Sequence, residues 1–309
     1  MLNEFQFIET IRRKYSLNKI GDDCAILPKD AQTDLVITSD LLVEDIDFRL
    51  GWTKPEFIGH KSLAVSLSDI AAMGAKPVWS MLSVGIPERL WNSDFTEKFY
   101  DGYMKLAKSF DVELIGGDIS KTPDKIVIDS TVAGEIEKGN AILRSGAQVG
   151  DFIFVTGELG GAAAGLKILE NGSNVFSKSQ TNPLLLRQLM PNSQTKLGQI
   201  LGERRIPLAM IDLSDGLSSD LVHLCLQSKV GAKIYADRLP FDENLNLLTE
   251  TNEQKLDFVL NGGEDYELLF TVSPAEFHKI DELAKQFKIT KIGEIVDSAD
   301  FLNLIVGDL

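Results

Sequence analysis

Short apolar runs that stop at an acid, beside glycine or serine, recur along this chain and constrain its fold more than any other feature. Five such stops are plain: Gly21-Asp22-Asp23, Thr38-Ser39-Asp40, Ser68-Asp69, Gly116-Gly117-Asp118 and Asp212-Leu213-Ser214-Asp215-Gly216. Acids at the ends of buried strands sit where α/β folds build their sites. The segments between them alternate in character. Residues 5–15 carry the spacing of an amphipathic helix, and 35–38 read as a buried strand entering Ser39-Asp40. A long helical pattern over 55–73 meets its stop signals at Gly74 and Pro77. A strand over 78–86, a helix over 92–110, a short strand over 112–115 that ends at Gly116-Gly117-Asp118, and a strand over 126–135 follow.

The second half opens with a strand over 152–155, a glycine-rich turn over 157–161 and a helix over 162–169. Strands are expected near 208–211, 233–236 and 267–272, and helices near 217–227 and 274–287. The alternation predicts an α/β (α+β) protein of mixed sheets covered by helices. At 309 residues the chain is longer than one core usually serves, so two domains are expected. The polar, glycine-bearing stretch 137–150 divides them into 1–137 and 138–309.

Charge narrows the function. Lys and Arg number 31 against 46 Asp and Glu, a formal net charge of −15. That field repels nucleic-acid phosphates and anionic membrane surfaces, and it repels anionic small substrates unless metal cations reverse it locally. The two cysteines, Cys24 and Cys225, are far apart and lack any metal-ligand spacing, against structural zinc or a disulfide framework. No secretory signal and no membrane-spanning apolar run is visible, so a soluble cytoplasmic protein is expected.

The clustered acids resolve the charge conflict. Hard divalent ions take oxygen ligands, and Mg²⁺ is held by a few carboxylates together with substrate phosphates. Taken singly, each acid reads better as a turn or helix cap than as a ligand. Together they point to Mg²⁺, and through Mg²⁺ to ATP. Asp69 sits close to a helix C-terminus, where a carboxylate opposes the macrodipole by about 0.3–1 kcal/mol if exposed. Gly116-Gly117-Asp118 reads either as backbone laid against a phosphate or as a tight hairpin turn. Asp215 reads as a ligand or as the cap of the following helix. Arg144 is a phosphate contact or a salt bridge near the linker. There is no GxxxxGK[ST] loop and no HRD/DFG set, and His60, His223 and His278 show no triad spacing. Asp45-Ile46-Asp47 matches the aspartate-nucleophile DxD only poorly.

Set in order, Gly21-Asp22-Asp23, Thr38-Ser39-Asp40, the stretch 66–74, Leu114 to Asp118, Arg144-Ser145-Gly146-Ala147, Ile211 to Gly216 and Gly262-Gly263-Glu264-Asp265-Tyr266-Glu267-Leu268 resemble the thiamine-monophosphate kinase family, of the aminoimidazole-ribonucleotide-synthetase-like superfamily. The resemblance runs from about residue 5 to 295 and implies a two-domain homodimer paired through its N-terminal sheets. It implies transfer of the ATP γ-phosphoryl group to thiamine monophosphate. It implies Asp23, Thr38, Ser39, Asp40, Asp69, Asp118, Asp212 and Asp215 as Mg²⁺ ligands or their supports. Tyr100, Gly117, Asp118, Arg144 and Ser214 would contact ATP, and Glu264 the thiamine phosphate. Two places depart from the family pattern: Asp47 stands where a substrate-contacting histidine is usual, and residues 300–309 lack the usual aromatic tail. Asp47 is therefore expected at the acceptor, where an acid favours a cationic thiazolium or an aminopyrimidine. The purine-pathway synthetases of the superfamily and a non-catalytic Mg²⁺–nucleotide-binding regulator are the competing readings.

Overall fold

The computed structural model describes residues 4–172, 182–298 and 302–305. The first half runs α1 (Glu4–Tyr15), β1 (Ala25–Pro28), β2 (Thr33–Val43), α2 (Pro55–Ala72), β3 (Lys76–Pro87), the single turn α3 (Glu88–Trp91), α4 (Phe95–Ser109), β4 (Glu113–Thr122) and β5 (Val127–Glu137). The second half runs β6 (Phe152–Thr156), α5 (Gly161–Glu170), α6 (Pro183–Leu189), α7 (Thr195–Glu203), β7 (Ala209–Asp212), α8 (Leu217–Ser228) and β8 (Gly231–Tyr235). It closes with α9 (Asn252–Asn261), β9 (Leu268–Val272), α10 (Phe277–Leu283), β10 (Ile289–Val296) and β11 (Leu302–Ile305). One sheet has the order β1-β2-β5-β3-β4 and the other β11-β8-β10-β6-β9-β7. β3 with β4 and β8 with β11 are parallel, and the other pairs are antiparallel. Mixed sheets with covering helices are the architecture expected from the alternation.

α2 organises the molecule. Leu63, Leu67 and Ile70 enter one core with Phe99, Tyr103 and Val132. Ala71 and Ala72, at its end, enter another with Leu197, Leu201, Met210 and Phe270. A helix apolar on every side must be buried on every side, and α2 achieves this by lying between the two halves of the chain. Acids and serines on its last turns are thereby delivered to the boundary between the sheets.

Two readings of the acid-terminated runs need correction. β2 does not end at Thr38-Ser39-Asp40 but continues to Val43, paired along its length with β5. β4 likewise runs through Gly116-Gly117-Asp118, so the glycines form neither a post-strand loop nor a hairpin. Gly117, at φ +149°, lies so close to β3 that a Cβ there would stand 1.8 Å from the Leu82 carbonyl oxygen. Close strand approach explains that glycine. The helix expected over 274–287 is a 3₁₀ turn, Pro274–Glu276, followed by the shorter α10. The tail over 300–309 lies outside the described residues except for 302–305.

Candidate active site

Three carboxylates from three distant segments meet where the two sheets abut. Asp23 precedes β1, Asp69 lies in the last turn of α2, and Asp212 ends β7. Each offers an oxygen such that all three lie within 4.8 Å of one another. Their orientation is set by hydroxyls. Thr38 Oγ1 donates to Asp69 Oδ2 at 2.5 Å, Ser68 Oγ to Asp212 Oδ2 at 2.8 Å, and Ser214 Oγ to Asp212 Oδ1 at 3.4 Å. Asp40, inward-facing on β2, accepts from Ser66 Oγ at 2.7 Å. Arg144 supplies a guanidinium, from Nη2 and Nε to Asp23 Oδ1 at 2.6 and 3.1 Å. Of the two sequence readings of Arg144 the salt bridge is the one seen here, made to an acid of the group.

The electrostatics of this group are unfavourable without a further cation. Burial chiefly, then the charges of Asp40, Asp212 and Asp23, hold the Asp69 carboxyl well above the usual carboxylate range. Asp212 is pushed up to about 7 by burial first and Asp23 second, against the opposing hydrogen bond from Ser68. Asp40 is pushed up to about 6, again chiefly by burial. Asp23 is raised by burial in spite of Arg144. Asp23 Oδ2 is buried without a hydrogen-bond partner. A buried carboxylate oxygen left unpaired costs several kcal/mol unless a cation meets it. Hard oxygen donors, convergent and short of positive charge, suit Mg²⁺.

The other expected ligands do not all reach this point. Ser39 lies on β2 between Thr38 and Asp40, so strand alternation turns its side chain to the opposite, exposed face. There it hydrogen-bonds Asp129 at 3.1 Å and Thr131 at 3.1 Å. Asp118 is exposed on β4, its carboxylate accepting only the Ile119 amide among the described residues, at 2.9 Å. Asp118, Gly117 and Tyr100 instead line a separate open cavity of about 470 Å³ with Leu82 and Leu114. Asp215 is exposed and does not cap α8. Asp220, inside α8, holds the turn before the helix, its Oδ2 accepting the amides of Asp215 and Gly216 at 3.2 and 3.0 Å. Burial, then Asp212 and Asp215, push the Asp220 carboxyl up to about 8.

A second pocket, of about 220 Å³, adjoins the acids through paired loops. Glu264 N donates to Ser214 O at 2.8 Å and Tyr266 N to Leu213 O at 2.9 Å, so residues 213–214 and 264–266 form one unit. Glu264 and Tyr266 have φ of +66° and +51°. Left-handed backbone at two non-glycine residues is strain of the kind found at binding sites. The Glu264 carboxylate meets Lys61 Nζ at 2.8 Å and also accepts from Gln188 Nε2. Trp52, Phe57 and Leu189 form apolar walls, and Asp47 also lines the pocket. One Asp47 oxygen is committed to the Val43 amide at 2.7 Å.

Comparison with known proteins shows the family. The family model described as AIR synthase related protein, N-terminal domain, matches residues 21–136, and the corresponding C-terminal domain matches 148–302. Thiamine-monophosphate kinase of Bacillus subtilis (strain 168) is 38% identical over 89% of this chain and 84% of its own length. That of Escherichia coli (strain K12) is 42% identical over 82% of this chain and 75% of its own. This chain belongs to the thiamine-monophosphate kinase family. Solved structures agree. The complex of AaThiL with AMPPCP and TMP superposes with a TM-score of 0.85 at 31% identity, covering 99% of this chain and 93% of that one. The kinase from Stenotrophomonas maltophilia K279a gives 0.81 at 37%, covering 98% and 96%.

For this member of the thiamine-monophosphate kinase family, sequence reasoning passed over Lys61, Gln188, Trp52, Phe57 and Asp220. Lys61 left a trace: it is the one basic residue inside the long apolar pattern after His60. Gln188 and the aromatic walls left none, because only the fold brings them to the pocket. No described helix is long and apolar enough to cross a membrane.

Proposed function

We propose that this enzyme transfers the γ-phosphoryl group of ATP to thiamine monophosphate by in-line displacement, giving thiamine diphosphate and ADP, with Mg²⁺ at the convergent acids. The observation that carries the reading is the meeting of Asp23, Asp69 and Asp212 within 4.8 Å, next to a pocket bearing Glu264. Those three acids, with Asp40 beside them, would hold Mg²⁺, which when bound offsets phosphate charge and aligns the triphosphate. Thr38, Ser66, Ser68 and Ser214 orient the carboxylates. Arg144, adjacent to them, and the separate surface of Tyr100, Gly117 and Asp118 would contact the nucleotide. Ser39 and Asp215 would enter only as outer supports.

The acceptor is a phosphate monoester, largely dianionic at neutral pH because its second pKa is about 6. It therefore brings no proton that a protein base must remove. Positioning and charge compensation make the larger contribution to such a transfer. The pocket beside Glu264 and Asp47 would seat the thiamine rings against Trp52 and Phe57.

Residues 1–137 and 138–309 would form the two domains, each contributing acids to the site. A homodimer paired through the N-terminal sheets is also proposed. The outer face and free edge of that sheet carry Leu41, Met81, Ile115 and Ile119 at 59, 42, 52 and 45% exposure, apolar surface that a second copy would cover. We place the protein in the cytoplasm. The deciding experiment incubates it with ATP, Mg²⁺ and thiamine monophosphate and resolves the product by chromatography. Thiamine diphosphate is expected in amounts equal to ADP. Efficient use of unphosphorylated thiamine instead would reassign the acceptor.

A further inference from the structure

Lys61 is the most deeply buried ammonium at the site, 4% exposed and ion-paired with Glu264, whose side chain is 28% exposed at the pocket. Its third contact is long, to Asp47 O at 3.4 Å. A structural purpose accounts poorly for it. A buried ion pair is seldom more stabilising than apolar residues of the same shape, because desolvation offsets the Coulombic gain. An apolar side chain would serve α2 better at that position.

The placement suggests a substrate instead. Lys61 and Ser68 are seven residues apart on α2, hence on one face and about 10 Å apart along the axis. Ser68 holds Asp212, and Lys61 holds Glu264. The loops bearing Asp212 and Glu264 are themselves paired through Ser214 O. One helix face thus carries the metal acids at one end and an ammonium at the other, with the pocket opening at the ammonium. The reaction brings two anionic phosphates together, and charges of like sign repel strongly in a buried site. Of the two cations that line the pocket among the described residues, Arg49 is exposed and stacked 4.3 Å over Trp52, which leaves Lys61 on the inner wall. Arg144 and Arg187 are committed to Asp23 and Glu267.

We propose that Lys61 binds the phosphate of the acceptor, with Glu264 and Gln188 fixing where the ammonium points. The inference rests on the thiamine monophosphate reading and adds a residue to it. An oxygen of the acceptor phosphate forms its bond to Pγ as the bond from Pγ to the β-bridging oxygen breaks, and ADP leaves with that electron pair. Lys61 takes no proton and forms no bond; it holds the attacking dianion against the repulsion.

Steady-state kinetics of Lys61→Gln, Lys61→Arg and the double variant Lys61→Gln/Glu264→Gln, with ATP and thiamine monophosphate varied separately, test this. The double variant leaves no carboxylate without its partner and keeps the test open if the single one folds poorly. Loss of a charge-assisted contact predicts that KM for thiamine monophosphate rises about tenfold or more in both Gln variants, while KM for ATP stays within about twofold. Lys61→Arg should recover most of the loss. Equal movement of both KM values, or an unchanged KM for the acceptor in a folded variant, overturns the proposal. Absence of any turnover by the wild type removes the substrate reading itself, and the role of Lys61 with it.

Discussion

Ser68 and Asp212 stand 144 residues apart in sequence and are joined by a 2.8 Å hydrogen bond from the serine Oγ to the carboxylate Oδ2. The hydroxyl is buried at 0% exposure on α2, and the acid ends β7. The bond therefore fixes a carboxylate of one half of the chain, a proposed Mg²⁺ ligand, from a helix of the other. Removing a partner that orients a metal ligand typically lowers metal affinity 10–100-fold. For Ser68→Ala the Mg²⁺ concentration giving half-maximal activity should rise by about tenfold or more, with the melting temperature of the metal-free protein nearly unchanged. Mg²⁺ titration of the initial rate measures it.

Asp212→Asn and Asp118→Asn should both abolish turnover while leaving the fold intact, yet by different routes. Asp212 is buried among like charges, so its neutral replacement relieves repulsion and should raise the stability of the metal-free protein near pH 8. Asp118 is exposed on β4 and pays no such penalty, so Asp118→Asn should leave stability within about 0.5 kcal/mol. Urea unfolding in EDTA, paired with the activity assay, separates the two. Full activity in both variants would defeat the metal assignment.

The acids themselves were legible in the sequence because each ends or interrupts an apolar run, and Asp69 was legible because its place near a helix end is locally unfavourable. What could not be read was direction. Thr38, Ser39 and Asp40 look alike as a motif, and only the pairing of β2 with β5 shows that Ser39 faces away. Gly116 and Gly117 look like a loop because two glycines usually are one; β4 continues through them, and at Gly117 the Leu82 carbonyl of β3 leaves no space for a Cβ. α6, α7 and α9 were not expected from the sequence, nor were β1, β10 and β11. Gln188, on α6, was lost with its helix.

The packing of α2 on α4 admits a severe test. A Cβ on Gly102 would stand 1.8 Å from Glu56 O, a backbone atom that cannot move without shifting α2. Overpacking of a rigid contact costs about 1–3 kcal/mol and sometimes more, so Gly102→Ala should lose about 3 kcal/mol in urea unfolding. Because α2 carries Asp69, the Mg²⁺ requirement should rise in the same variant. Wild-type stability in Gly102→Ala would show that the two helices are farther apart than 1.8 Å implies.

The pH dependence of stability should reveal the cation. In the folded chain Asp212 titrates at about 7 and Asp40 at about 6, raised chiefly by burial, against about 3.9 for an unfolded aspartate. Between about pH 4 and 7 the folded form keeps protons that the unfolded form has lost, so the contribution of these groups is full below that window and falls as pH rises through it. A divalent cation replaces those protons, and its binding strengthens as they leave. Stabilisation by saturating Mg²⁺ over EDTA should therefore grow from about pH 5 to pH 8. His60, lowered by burial, shifts both conditions alike and drops out of the difference. In Asp212→Asn the difference should shrink and flatten, because the most strongly raised of the two groups is gone. Thermal melts at several pH values, with and without Mg²⁺, give the answer directly, and a difference that does not vary with pH would detach these carboxylates from the cation.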